Sequence, residues 1–354
     1  REIDRTLDNC VYGKTKFLYL SPERLASELA IERIKKMNVN LLAIDEAHCI
    51  SQWGYDFRPP YLEIANIREW LPKTPILALT ATATEEVVVD IQDHVAHVRL
   101  NRPDKMNALD AAMFEGIIAA GEQLKDNSDV RAVVLSGEGR AFCAGLDMGN
   151  FANMASGKSG GTSGVTSDKE GRLEKRTHGL ANQAQYTSWV WRELPVPVIA
   201  ALHGVAYGGG CQISCGADMR YAAPGTKMSI MEMKWGLVPD MGATPFIHKI
   251  LRDDILRELT YTNRVIEAEE AQALGLVTRI YDNPIEAALN TAGEIAMKNP
   301  DAVRSAKRIL NNAPFQQADE ILLAESVEQD KLIGYPNQVE AVMANMEKRT
   351  PNFK

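Results

Sequence analysis

The chain has 354 residues, 45% of them hydrophobic and 24% charged, with a formal net charge of −8. This is an ordinary globular composition of about two domains' length, and its acidic balance excludes a protein whose whole surface grips nucleic acid, because phosphate binding needs a basic face. No apolar run reaches membrane-spanning length, so a transmembrane helix is excluded as well.

The first ~90 residues alternate strand-like and helix-like segments, as a parallel α/β unit does. KFLYL (16–20) reads as a buried strand. SPERLASELAIERIKKM (21–37) reads as a helix with Ser21 at its N-cap and Pro22 at its first position. NLLAID is a second strand, PPYLEIANIREWL a second helix and PILALT a third strand. The pattern changes near Val87. VVVDIQDHVAHVRL (87–100) reads as a hairpin turning at Asp93-His94, because Val87, Val89 and Ile91 alternate before it. NALDAAMFEGIIAAGEQLKD is a long amphipathic helix, and VRAVVLSG and VPVIAALHG are buried strands. Residues 155–168, rich in Gly and Ser with no apolar period, read as a mobile loop. From Ile266 onward helices dominate.

Five cysteines (Cys10, Cys49, Cys143, Cys211, Cys215) form no CxxC pair. That fits reduced thiols and a cytoplasmic protein with no metal site. The chain opens REIDRTLDNC, without an initiator Met or a signal-peptide apolar core, which fits a chain that begins mid-protein.

Two stretches carry chemistry. In the first, LLAIDEAHCISQWGYDFRPPYLEI, a strand delivers Asp45, Glu46 and His48 to its end, and Trp53, Tyr55 and Phe57 follow. Asp45 could hold Mg²⁺, Glu46 could orient a water and the aromatics could stack on bases. With FLYLSPERL and LALTATAT, this stretch resembles the RecQ family of DEAH-box DNA helicases over residues 12 to 92. A motor also needs a GxxxxGK[ST] phosphate cradle. GKT occurs at Gly13-Lys14-Thr15, but Asp8 stands where the first Gly belongs, and the tripeptide leads toward a strand rather than a helix. The expectation is a helicase fragment over 1–87, an incomplete RecA-like α/β piece without ATPase activity whose box is vestigial.

In the second stretch, Gly208-Gly209-Gly210 follow a buried strand and open a helix. Glycine permits close backbone approach, and free N–H groups stand at a helix start. Such donors can hold a negatively charged oxygen. Glu232 sits in the apolar frame MSIMEMKWG, where burial favours a proton-carrying role over a solvated charge.

The landmarks LNRPDKMNALD, GEGRAFCAGLDM, PVPVIAALHGVAYGGGCQISCGADMRYA, MEMKWGLVPDMGAT and EAEEAQALGLV resemble, in order, the crotonase (enoyl-CoA hydratase/isomerase) superfamily. The resemblance implies a ββα spiral core over 88–285, a C-terminal helical oligomerisation region over 286–354, and a homotrimer or hexamer. It implies an acyl-CoA thioester substrate and no separate cofactor, since coenzyme A is part of the substrate. By motif, the N–H groups of Ala144 and Gly209 form the oxyanion hole, and Gly208, Gly210 and Cys143 lie against the substrate, with Cys143 as a small buried filler. Glu232 is the base. Gln212 stands where the family's hydratases carry a second glutamate, and it cannot exchange a proton at neutral pH. Asp240, eight residues after Glu232, matches an acid of the dienoyl-CoA isomerases, which also carry an acid where Gln212 stands, whereas single-base 3-enoyl-CoA isomerases keep only the acid at the Glu232 position. His203 is expected as a structural donor, Trp189 and Trp191 as core, and Asp147 as a helix cap. Enoyl-CoA hydration and double-bond isomerisation both remain open, beside a DNA-binding fragment or a non-catalytic scaffold. The two grammars meet at TATATEEVVVDIQDHV, as a fusion would.

Overall fold

The computed structural model describes residues 2–13, 15–21, 27–44, 67–72, 74–78, 86–150 and 173–354. The chain divides into two compact units at Thr84/Glu85.

The first unit contains α1 (Glu2–Val11), α2 (Glu28–Ile34), β1 (Leu42–Ile44), α3 (Ile67–Trp70) and β2 (Ile76–Ala78). β1 and β2 pair in parallel, Leu42 opposite Ile76 and Ile44 opposite Ala78. Ile34, Ile44 and Ile67 form a small core. Two expectations are corrected here. KFLYL is not a strand: residues 16–20 have no ladder, and Phe17 and Tyr19 are 79% and 92% exposed. An apolar run becomes a strand only beside a partner that accepts its hydrogen bonds, and among the described residues no third strand joins β1 and β2. The helix expected over 21–37 is described over Glu28–Ile34. Asp45, Glu46, His48 and the three aromatics after them lie outside the described residues, as do Lys14 and the expected loop at 155–168.

The second unit opens with β3 (Val87–Gln92) and β4 (Val95–Leu100), the expected hairpin, paired from Val87–Leu100 to Gln92–Val95. Asp93 and His94 both adopt left-handed backbone (φ 48° and 67°), so a two-residue turn matches the twist of the strands. Then follow α4 (Ala111–Lys125), capped by Asp110, β5 (Ala132–Gly137), α5 (Gln183–Glu193), β6 (Val198–Leu202), β7 (Val205–Tyr207) and α6 (Gly209–Gly216). β8 (Met219–Ala222), β9 (Lys227–Ser229), α7 (Thr244–Ile250), α8 (Asp253–Thr262), β10 (Ile266–Glu267), α9 (Ala268–Ala273) and β11 (Arg279–Ile280) complete the sheets. Helices α10 (Pro284–Ala296), α11 (Pro300–Asn312), α12 (Ala318–Asp330) and α13 (Pro336–Glu347) end the chain.

One six-stranded sheet has the order β11-β8-β6-β5-β4-β3, parallel except at the β3–β4 hairpin. A three-stranded sheet has the order β10-β9-β7. β5 is buried along its whole length, which accounts for its apolar run from Ala132 to Leu135. One face of the larger sheet (Val98, Leu100, Val133, Leu135) packs on Met113, Phe114 and Ile117 of α4 and on Trp191. The other face (Ala132, Val134, Ile199, Ala201) is closed by Ala288, Ala292 and Ala296 of α10. These three alanines recur at intervals of four, one row on a helix, so α10 lies close against the strands. The first C-terminal helix is therefore packed on the six-stranded sheet.

Candidate active site

Register brings the site together. β7 and β9 run in parallel with Tyr207 opposite Ser229, and the Gly208 N–H donates to the Ser229 carbonyl at 2.9 Å. The segment after each strand therefore lies beside the other: Gly208-Gly209-Gly210 beside the 3₁₀ turn Glu232–Trp235. A Cβ added to Gly208 would stand 3.4 Å from Glu232 Oε1.

Each glycine has its own reason. Gly208 adopts φ 50°. A Cβ on Gly209 would come within 2.6 Å of Leu109 Cδ1 and Met241 Sδ, and one on Gly210 within 2.5 Å of the Cys143 carbonyl. The triplet therefore packs main chain against its neighbours and starts α6 with the Gly209 N–H free of any intrahelical acceptor.

A second strip of main chain lies alongside. Cys143 bridges Ala206 in parallel, with the Cys143 N–H on Val205 O (3.1 Å) and the Tyr207 N–H on Cys143 O (3.0 Å). Here the motif assignment needs correcting. The Ala144 N–H donates to the Met106 carbonyl at 2.9 Å, so it is already engaged. Two residues on, the Leu146 N–H makes no hydrogen bond among the described residues, although Leu109 donates to Gly145 O and accepts from Asp147 N–H on either side of it. A Cβ on Gly145 would lie 3.7 Å from the Gly209 nitrogen, which places this free amide in the Gly209 neighbourhood. The free amides on these two strips are therefore those of Gly209 and Leu146. Cys143 is the small buried filler expected: it is fully buried, its N–H and C=O are both hydrogen-bonded, and burial pushes its thiol up to about 12.

The loop that carries these amides is stitched by the LNRPDKMNALD segment. Asn107, fully buried at φ 54°, donates through Nδ2 to the carbonyls of Glu138, Ala141 and Phe142. Arg102 pairs with Asp147 at 2.7 Å and Asp110 at 3.1 Å. Asp147 in turn accepts from the Gly149 N–H at 2.8 Å, at the start of the helical residues 148–150, as a cap does.

Gln212, 2% exposed, donates through Nε2 to Glu232 Oε1 at 2.6 Å, and its Oε1 accepts from the Met241 N–H at 2.9 Å. Glu232 Oε2 is buried and has no hydrogen-bond partner. Desolvation raises the Glu232 pKa, and the negative charge of Asp240 adds to it. Hydrogen bonds from Gln212 and the local main chain oppose the rise. Asp240 keeps an exposed edge, but the chain crowding its carboxyl raises that pKa too. Two carboxyls biased toward holding protons beside free N–H donors can do acid–base chemistry on an enolisable carbonyl compound.

The model of the enoyl-CoA hydratase/isomerase family matches residues 90–354. The chain belongs to that family. Among its relatives, the mouse mitochondrial Delta(3,5)-Delta(2,4)-dienoyl-CoA isomerase is 33% identical over 266 residues, covering 74% of this chain and 79% of that protein. A probable enoyl-CoA hydratase of Mycobacterium bovis is 29% identical, covering 76% and 98%. The solved enoyl-CoA hydratase of Bacillus anthracis superposes with a TM-score of 0.67 at 30% identity, covering 76% of this chain and 99% of that one. The crotonase-like fold is thereby shown. Residues 2–91 match the model of the DEAD/DEAH box helicases.

The expectations for His203, Trp189 and Trp191 hold. His203 Nε2 lies 3.0 Å from the Gly139 carbonyl, a structural contact at a strand end. Trp191 is fully buried, and Trp189 packs on the core and stacks on Phe246. Among the described residues no cluster of His, Cys, Asp or Glu could hold a metal, and no helix is long and apolar enough to cross a membrane. The Leu146 amide, the Met241 lock on Gln212 and the Arg102 clamp are features of the folded chain. For the first two there was no signal to find, because a free N–H or a main-chain partner depends on how distant segments register.

Proposed function

We propose that this chain isomerises the carbon–carbon double bond of an enoyl- or dienoyl-CoA thioester, with Glu232 as the base. The observation that carries this reading is Gln212. A two-carboxylate hydration needs a second proton carrier at that position, and an amide engaged with Glu232 and the Met241 main chain supplies none.

The thioester oxygen accepts from the Gly209 and Leu146 N–H groups. Glu232 Oε2 removes a proton from the carbon beside the thioester carbonyl, and the C–H electron pair moves into the carbonyl to give a conjugated enolate held by those two donors. The carbonyl re-forms as a proton is delivered to the far end of the displaced double bond. For a short shift Glu232 returns the proton it took. For a shift across a diene, Asp240 starts protonated and delivers, and the two carboxyls re-equilibrate through solvent before the next turnover. Coenzyme A enters and leaves as part of the substrate.

We assign a homotrimer to the assembled enzyme, because α12 and α13 expose Leu322, Leu323, Val327, Val342 and Met343, a face that a second copy would cover. We assign residues 2–91 to a RecQ-type fragment that turns over no ATP, since these 354 residues contain no GxxxxGK[ST] cradle.

The test is a panel of 3-enoyl-CoA, 3,5-dienoyl-CoA and crotonyl-CoA. Conjugated product from either isomerase substrate, with little hydration of crotonyl-CoA, is expected. Hydration outpacing isomerisation, or full activity in Glu232→Gln, would overturn the reading.

A further inference from the structure

We infer that Gln212 is a positioning residue: its amide, locked in one orientation by the Met241 main chain, holds Oε1 of Glu232 and leaves Oε2 as the reacting oxygen. The inference rests on Glu232 being the base.

The orientation follows from hydrogen-bonding logic. A main-chain N–H can only donate, so the Gln212 atom facing Met241 N, at 2.9 Å, is its carbonyl oxygen. The NH₂ group is then the atom that faces Glu232, and it sits 2.6 Å from Oε1. Gln212 cannot drift, because it is buried in the first turn of α6, whose start is fixed by glycines packed on Leu109, Met241 and Cys143. Glu232 is also held from behind. The Asn263 side chain donates to the carbonyl of Ile230, two residues before it, and Ser229 Oγ donates to the Asn263 carbonyl. With Oε1 engaged, the buried and unpartnered Oε2 is the oxygen with lone pairs available.

A neutral donor on a carboxylate also favours its charged form. Gln212 thus opposes the groups that disfavour charge on Glu232. Those are the burial of the site and the Asp240 carboxylate, and Cys211 faces Glu232 from α6 as a buried neutral thiol. Lys234 lies on the same turn as Glu232. Gln212 therefore keeps a desolvated carboxylate usable as a base while fixing its aim.

The test is the pH profile of kcat and the KM of the full-length chain and of Gln212→Met, which removes both hydrogen bonds at similar volume. Gln212→Met should lower the plateau kcat about 10- to 100-fold through misplacement of the base, leave KM within about twofold, and move the acid limb to higher pH. An unmoved limb with an unchanged plateau would overturn the inference. If Gln212→Met does not fold, Gln212→Glu serves instead: a like charge beside Glu232 should also raise the limb, and an unmoved limb there overturns it equally. Glu232→Gln separates the two layers. Activity surviving in that variant removes the base itself, whereas its loss beside a Gln212→Met enzyme of normal profile removes only the positioning role.

Discussion

Arg102 reaches Asp147 across 45 positions of sequence and pairs with it at 2.7 Å, next to the free Leu146 amide. The same guanidinium also donates to the Ala108 carbonyl at 3.0 Å, and it faces Asp110, the cap of α4. One cation thus binds both the segment before α4 and the loop that carries the free Leu146 amide. Arg102→Ala should lower kcat about tenfold with a smaller change in KM, because the donor that strengthens as the enolate forms is no longer held. Asp147→Ala should do the same, and the double variant should lose less than the product of the two. Strict additivity in that cycle would show that the pair does not act as a unit.

Gln212→Glu restores the second carboxyl that a hydration mechanism requires. It should bring measurable loss of the crotonyl-CoA absorbance and reduce isomerisation. A variant that folds, hydrates nothing and isomerises at the parent rate would mean that residue 212 does not choose between the two reactions.

Glu232→Gln should reduce isomerisation by about 10²- to 10⁴-fold, the usual range for removing a general base. Because the Glu232 pKa is raised in the folded protein, the acid limb of the parent profile lies above the ordinary glutamate range. The same shift has a sign for stability. With the folded pKa above the unfolded one, the native state holds a proton that the unfolded chain has released, so this group's contribution is complete below the unfolded pKa and is lost as pH rises through the folded pKa. The amide variant escapes that loss. At pH 7 its Tm should exceed the parent's, and the gap should close near pH 4. A Tm below the parent's at pH 7 would contradict the desolvation account.

Gly210→Ala and Gly209→Ala should differ in severity. The added methyl at 210 meets the Cys143 carbonyl, which is fixed by the Tyr207 N–H, whereas at 209 it meets the ends of the Leu109 and Met241 side chains, which can turn aside. Urea unfolding should show a loss of about 1–3 kcal/mol for Gly210→Ala and a smaller loss for Gly209→Ala. The reverse order would show that main chain yields here more easily than side chain.

Much of the second unit was legible from local pattern. The Asp93-His94 hairpin, the Asp110-capped helix, the buried runs at β5 and β6 and the glycine-led α6 each follow from period, cap or turn chemistry acting within a few residues. KFLYL failed for the complementary reason. Its apolar character was real, but a strand is a property of a pair, and no ladder reaches it among the described residues.

The site divides in the same way. The residue types alone established that Glu232 is the proton-carrying candidate, that Gln212 cannot ionise, and that glycines at 208–210 allow close approach, because these are properties of side chains or of their absence. Tertiary structure decided which main-chain amides are free. Ala144 and Leu146 are two residues apart, yet one donates to Met106 and the other to nothing among the described residues, because Met106 folds back over the loop in one register only. It also decided that Gln212 faces Glu232 with its NH₂ group, since the Met241 N–H that claims the amide oxygen lies 29 positions away and meets it only in the folded chain.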